Sequence, residues 1–185
     1  VDKTTEGIFA PWAFYRKDFQ EIGGHDPLYA PQSKEDSDIF NRFQLNGVKF
    51  VQTWEGFVYH MTCRGSRFNP TITEVGKESD EWLAQNQRST RNFIRKWGHF
   101  VMHDRLMKPI IPPKFNIGLI LNNANENSLF HLEPWFDKIW VHSSLVIPYI
   151  NKEQKNTVID LSERVRTEFD EYDTDIVVKL DASEL

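Results

Sequence analysis

The feature that most constrains this fold is a change of rhythm around Pro109, Pro112 and Pro113. Proline fixes φ and lacks an amide hydrogen, so such a cluster interrupts any helix or strand. After it, short apolar runs alternate with amphipathic stretches. Ile117 to Leu121 predicts a strand, and Asn125 to Phe136 a helix that Pro134 disturbs. Lys138 to His142 predicts a second strand. Thr157 to Phe169 predicts a helix with Val158, Leu161, Val165 and Phe169 as its stripe. Asp175 to Leu180, DIVVKL, is apolar enough to predict a strand buried in a parallel sheet. Strands alternating with helices predict an α/β fold class. The prolines mark a boundary, giving segments 1–108 and 109–185.

The first segment is less regular. Residues 7–15, GIFAPWAFY, read as a buried strand leading into a turn. A helical turn starts at Arg16 and breaks at Ile22-Gly23-Gly24. Residues 26–34 read as a loop. From Glu35, the spacing of Ile39, Phe40 and Phe43 predicts a helix, with Glu35 and Asp36 in its first turn and Gly47 as its stop. Val48–Val51 and Gly56–His60 read as short strands, 61–80 as a loop, and Glu81–Met107 as mostly helical.

Composition sets the functional limits. Of 185 residues, 39% are hydrophobic and 14% aromatic, enough for a packed core. A net charge of -5 argues against a general nucleic-acid or lipid-surface binder. The single cysteine, Cys63, forbids an internal disulfide and fits a reducing, cytoplasmic setting. No apolar run approaches the roughly 18 residues of a membrane helix. The opening Val1, and an ending directly after a strand-like run, read as cuts in a longer protein.

Four constellations bear chemistry. Glu35-Asp36-Ser37-Asp38 crowds carboxylates at a helix mouth, where repulsion can raise one pKa and make a proton acceptor; acids there are equally ordinary dipole partners. His60 can bind a metal or a phosphate, or sit as a rim histidine. Arg64 and Arg67 suit phosphate oxygens, whereas Arg88, Arg91 and Arg95 share a helical face and read as solvated surface. Asp173, Asp175 and Asp181 flank the last strand, where α/β proteins place metal and nucleotide contacts, yet Asp181-Ala182-Ser183 supplies one acid where Asp-X-Asp has two. Phosphate loops, dinucleotide fingerprints, HExxH, CxxC pairs and GxSxG are absent from the sequence. Cys63 reads as an ordinary buried thiol.

Taken in order, Phe14-x-Arg16-x-x-Phe19-x-x-Ile22-Gly23-Gly24-His25-Asp26, Glu35-Asp36-Ser37-Asp38-Ile39-x-x-Arg42, Gly47, Val58-Tyr59-His60 and Lys96-Trp97-Gly98 resemble the second half of family-two glycosyltransferases with the GT-A fold. The likeness runs over roughly residues 7–108. It implies a partial GT-A (nucleotide-diphospho-sugar transferase-like) domain, acceptor side, followed by a small α/β segment. It implies transfer of a sugar from a nucleotide-sugar donor to a glycan or other hydroxyl acceptor. Asp36 would be the general base, with Glu35 supporting it or touching the acceptor. His60 would complete a Mn2+ or Mg2+ site. Gly23 and Gly24 would shape the turn near the acceptor, Trp12 would stack on a sugar, and Arg64 and Arg67 would fold over the diphosphate.

The family's nucleotide-binding strands and Asp-X-Asp motif have no counterpart in the matched half, and would precede Val1 in a missing N-terminal half. Segment 109–185 is either an accessory domain or the start of a second, degenerate GT-A-like domain. Two rivals stand beside the transferase reading. One is a catalytically inactive sugar- or protein-binding module of a larger protein, rich in Trp12, Trp54 and Trp82. The other is an assembly role for residues 109–185.

Overall fold

A computed structural model describes residues 11–53, 55–56, 67–68, 77–168 and 170–185. It is a mixed α/β structure containing a four-stranded parallel sheet. The chain divides into two units, Val1–Thr90 with Val101–Ile111, and Arg91–Phe100 with Pro112–Leu185.

In the first unit, α1 (Arg16–Glu21) and α2 (Glu35–Leu45) are short helices, and α3 (Asp80–Trp97) contributes its residues as far as Thr90. Both short helices end in the same way. Gly23 and Gly47 take left-handed φ of 83° and 75°. The amides that follow them bond back across the last turn, Gly24 to the Phe19 carbonyl and Val48 to the Phe43 carbonyl. The stripe of α2 buries Ile39 and Phe43. Its Asp38 is wholly buried and accepts from Arg42 Nε at 2.7 Å and from the Tyr29 hydroxyl at 3.3 Å. Arg42 also donates to the Ile22 carbonyl at 2.6 Å, tying the end of α1 to α2.

The expected strand over 7–15 is not formed in its described part: residues 11–15 are irregular. Pro11 has no amide to donate, and the aromatic side chains pack on one another instead. Trp12 stacks on Phe14 at 4.8 Å, and Phe14 meets Phe19 and Phe43 at 5.1 and 5.5 Å. Residues 48–51 are likewise irregular rather than a strand. Of the strand expected at 56–60, residues 57–60 lie outside the described residues, as do 61–66 and 69–76 of the loop.

In the second unit the order is β1 (Ile117–Asn122), α4 (Glu126–Leu132), β2 (Lys138–Val141), α5 (Ser143–Glu153), β3 (Val165–Thr167) and β4 (Ile176–Asp181). The strands lie in the order β3-β2-β1-β4, all parallel. Leu119, Leu121, Leu129, Ile139, Val141, Tyr149, Leu161 and Val165 form the core. Each fully buried aliphatic side chain there contributes roughly 1.5–3 kcal/mol.

Four expectations need correction in this unit. Of the helix expected over 157–169, residues 157–168 are not an α-helix, and Phe169 lies outside the described residues. Asp160 accepts from the amide and hydroxyl of Ser162, and the Gln154 amide group holds the carbonyls of Thr157 and Ile159. These local bonds displace the helical ladder, and Val165–Thr167 pairs with β2 instead. The crossover helix between β2 and β3 is α5, which contains Pro148 and lies in a stretch where no element is expected from the sequence. The strand β4 is an edge strand with Ile176 and Val177 exposed, not a buried one. The helix expected to reach Met107 ends at Trp97, where Gly98 turns the chain with φ of 80°.

The fourth correction concerns charge. Arg91 and Arg95 are buried, not solvated. Arg95 donates Nε to both oxygens of Glu133, at 3.1 and 3.0 Å, and Nη2 to Glu133 and Glu153 at 2.6 and 2.8 Å. Arg91 reaches Glu153 at 3.0 Å and the Tyr149 hydroxyl at 2.9 Å, with its guanidinium 3.7 Å from the Phe130 ring centroid. Arg164 adds a bond to Glu133 at 2.9 Å. Burial pushes the Glu133 carboxyl up, but the charge and hydrogen bonds of Arg95, then of Arg164, outweigh it and hold the group below its ordinary value. The arginines read as surface because their carboxylate partners lie some forty to sixty positions away in sequence.

Candidate functional site

The site is built where the loop before α2 meets the start of α3 in the first unit. Ser33 and Lys34 both take left-handed backbone angles, φ 80° and 71°. For residues with a Cβ this costs roughly 1–2 kcal/mol each, so something must hold them. That grip comes from α3. Gln85 donates to the Gln32 carbonyl at 2.9 Å and to Ser89 Oγ at 2.9 Å, and Ser89 Oγ donates to the Gln32 carbonyl at 3.1 Å. Asn86 Oδ1 accepts from Ser33 Oγ at 2.8 Å and Lys34 Nζ at 2.9 Å. The strained pair turns the chain so that Glu35 and Asp36 open α2.

Beside this turn lies an open pocket of about 390 Å³. Gln32, Ser33, Lys34, Glu35, Asp36 and Ser37 form one part of its lining. Trp82 and Asn86 of α3, with Arg67 and Val101, complete it. Ser79 Oγ accepts from the Trp82 amide at 3.2 Å, and its carbonyl accepts from the Leu83 amide, fixing the first turn of α3. Arg67 Nε donates to Glu78 at 2.6 Å, which leaves its guanidinium 5.4 Å from the Trp82 ring centroid.

The two carboxylates differ. Asp36 Oδ1 accepts from the Ser37 amide at 2.7 Å and lies 3.4 Å from the Ser37 hydroxyl. Glu35 Oε2 is buried and has no hydrogen-bond partner among the described residues. Burial raises the Glu35 pKa above its ordinary value; bonding to its own backbone amide opposes this, the charge of Asp36 adds to it, and His25 and the Ser33 amide oppose it. Lys34 is pulled down by its own burial, against the raising effect of Asp36 and Glu35 and with help from Arg67.

Of the residues singled out in the sequence, Glu35, Asp36 and Arg67 share this pocket. Trp12 packs in the aromatic cluster against Phe14 and Phe40, outside the pocket's described lining. Gly23 and Gly24 close α1 and are also outside it. His60, Arg64, Trp54 and Cys63 lie outside the described residues. Among the described residues no group of three or more His, Cys, Asp and Glu is placed to hold a metal ion such as Mn2+ or Mg2+. Asp173 pairs with Lys138, while Asp181 accepts from Asn123 and caps the turn that follows β4. Sequence reasoning missed Gln85, Asn86 and Ser89, the residues that set the loop. Their only signal is a polar stripe on α3, common on any helix surface.

No described helix is long and apolar enough to cross a membrane. Compared with protein-family models, with curated proteins and with solved structures, the chain matches none of them.

Proposed function

We propose that this chain carries the acceptor-side half of a GT-A-type glycosyltransferase, moving a sugar from a nucleotide-sugar donor to a hydroxyl acceptor. One observation carries the reading: two adjacent carboxylates, Glu35 and Asp36, open a helix beside a polar pocket that also presents an indole ring and a guanidinium. A hydroxyl is a weak nucleophile until a base takes its proton, and a carboxylate within hydrogen-bond reach is suited to that. Trp82 offers an apolar face to a sugar ring, while Asn86, Gln32 and Ser37 offer polar groups to its hydroxyls. Arg67 brings positive charge toward an anionic donor.

The test is transfer from UDP-glucose, UDP-N-acetylglucosamine and GDP-mannose to a saccharide panel, followed by release of nucleoside diphosphate. The double variant Glu35→Gln/Asp36→Asn is expected to abolish transfer while the native fold persists. Undiminished transfer in that variant overturns the reading. Saccharide binding by the native protein without any turnover assigns the pocket to recognition alone.

A further inference from the structure

We infer that β4 is a docking edge for a second copy of this chain, the two copies joining their sheets antiparallel about a two-fold axis at Val177. The inference goes beyond the transferase reading and does not depend on it. The two edges of the sheet differ. β3 has only three residues, short enough to offer little to another chain. β4 runs six residues, Ile176–Asp181, in unbroken register with β1 and without a proline or a bulge. Among the described residues no strand pairs with its outer side. Ile176 and Val177 on it are 46% and 38% exposed. Such an edge is a ready template for a further strand.

The backbone limits which residues can pair. The Ile176 amide donates to the Asn116 carbonyl at 3.3 Å, so Ile176 turns its main-chain groups to β1. By the alternation of a strand, Val177 and Lys179 turn theirs outward. In an antiparallel pair, residues directly opposite each other exchange both bonds. Outward residues must therefore face outward residues, which leaves only registers a two-residue slip apart.

Charge chooses among these registers. Centred on Val177, the pairing sets Asp175 of each copy opposite Lys179 of the other, twice over. Centred on Val178, it sets Asp175 against Asp181. Centred on Lys179, it sets the two lysines against each other. Centred on Ile176, it leaves Lys179 opposite Asp173, which already pairs with Lys138. Opposite charges facing across a strand pair stabilise it, and like charges do the reverse. Asp175 and Lys179 are both exposed, so their side chains can meet across the seam. The resulting contact is self-complementary and closes as a dimer.

A six-residue seam is small beside standard interfaces, so association is expected at about 10–500 µM protein. Sedimentation velocity of the full chain over that range tests the inference. Lys179→Asp, Asp175→Lys and the double swap Asp175→Lys/Lys179→Asp are run beside it. The native chain is expected to pass from monomer to dimer, with amide exchange at Val177 and Lys179 slowing as concentration rises. Each single reversal should weaken dimerisation at least about tenfold, because two attractive pairs become repulsive. The double swap should restore it to within about threefold of native, which a general loss of folding would not do. A native chain that stays monomeric throughout overturns the inference, as does a dimer that both single reversals leave intact. Equal protection of the Val177 and Lys179 amides at every concentration would place the cover of this edge within one chain and overturn it as well.

Discussion

Replacing Glu133 by alanine leaves three guanidinium groups in the interior of the sheet-bearing unit with one carboxylate between them. Glu133 is wholly buried and accepts from Arg95, Arg164, Arg91 and the Tyr149 hydroxyl. In its absence Arg91 and Arg95 share Glu153, and Arg164 keeps, among the described residues, main-chain carbonyls only. Removing one partner of a buried ion pair costs about 3–5 kcal/mol, because the charge left behind is uncompensated. A domain of this size has a net stability of roughly 5–15 kcal/mol, so the variant falls to the margin of folding. Hydrogen exchange of the β1 and β2 amides reports opening of this unit by itself. At about 1.4 kcal/mol per tenfold, those amides should exchange about a hundred to several thousand times faster. Glu133→Gln keeps an acceptor and should lose less. Acceleration below about fivefold in Glu133→Ala would refute the reasoning and make the network incidental to stability.

The remaining expectations are narrower. Glu133 and Glu153 both titrate below their ordinary value of 4.5 in the folded state. Their contribution is therefore complete above that pH and lost as pH falls through the folded values; Glu133→Gln should flatten the acid-unfolding curve, and an unaltered curve would count against it. Gly118→Ala places a Cβ against the Trp140 ring and the Thr174 hydroxyl; overpacking should cost about 1–3 kcal/mol in chemical denaturation, and a neutral result would contradict the close approach. Trp82→Ala should weaken saccharide binding by up to about tenfold in calorimetry, as expected for loss of one aromatic face. Unchanged affinity would remove Trp82 from the site.

Much of the α/β order was legible because it is local. The apolar runs at 117–121 and 138–142 and the acids opening α2 state their elements within a few residues. What misled was non-local or locally competed. No element is expected from the sequence over α5, with Pro148 inside it, and the Asp160 and Gln154 side-chain bonds cancel a helical stripe that the spacing of Val158, Leu161 and Val165 suggests. The burial of Arg91 and Arg95 depends on Glu133 and Glu153, which no window around α3 contains. For the site, the acidic pair was visible in sequence, but the turn that presents it was not. The placement of that pair beside a pocket follows from a left-handed turn at Ser33 and Lys34, held by Gln85, Asn86 and Ser89.

The central claim is that the turn opening α2 forms a saccharide-handling pocket. Amide and side-chain NMR shifts of the chain, recorded while a saccharide panel is titrated in, test it most directly. The account predicts changes concentrated at residues 32–37, Arg67, Trp82 and Asn86, saturating together and diminished by Trp82→Ala. Saturable changes centred elsewhere, with these residues unmoved, would contradict it.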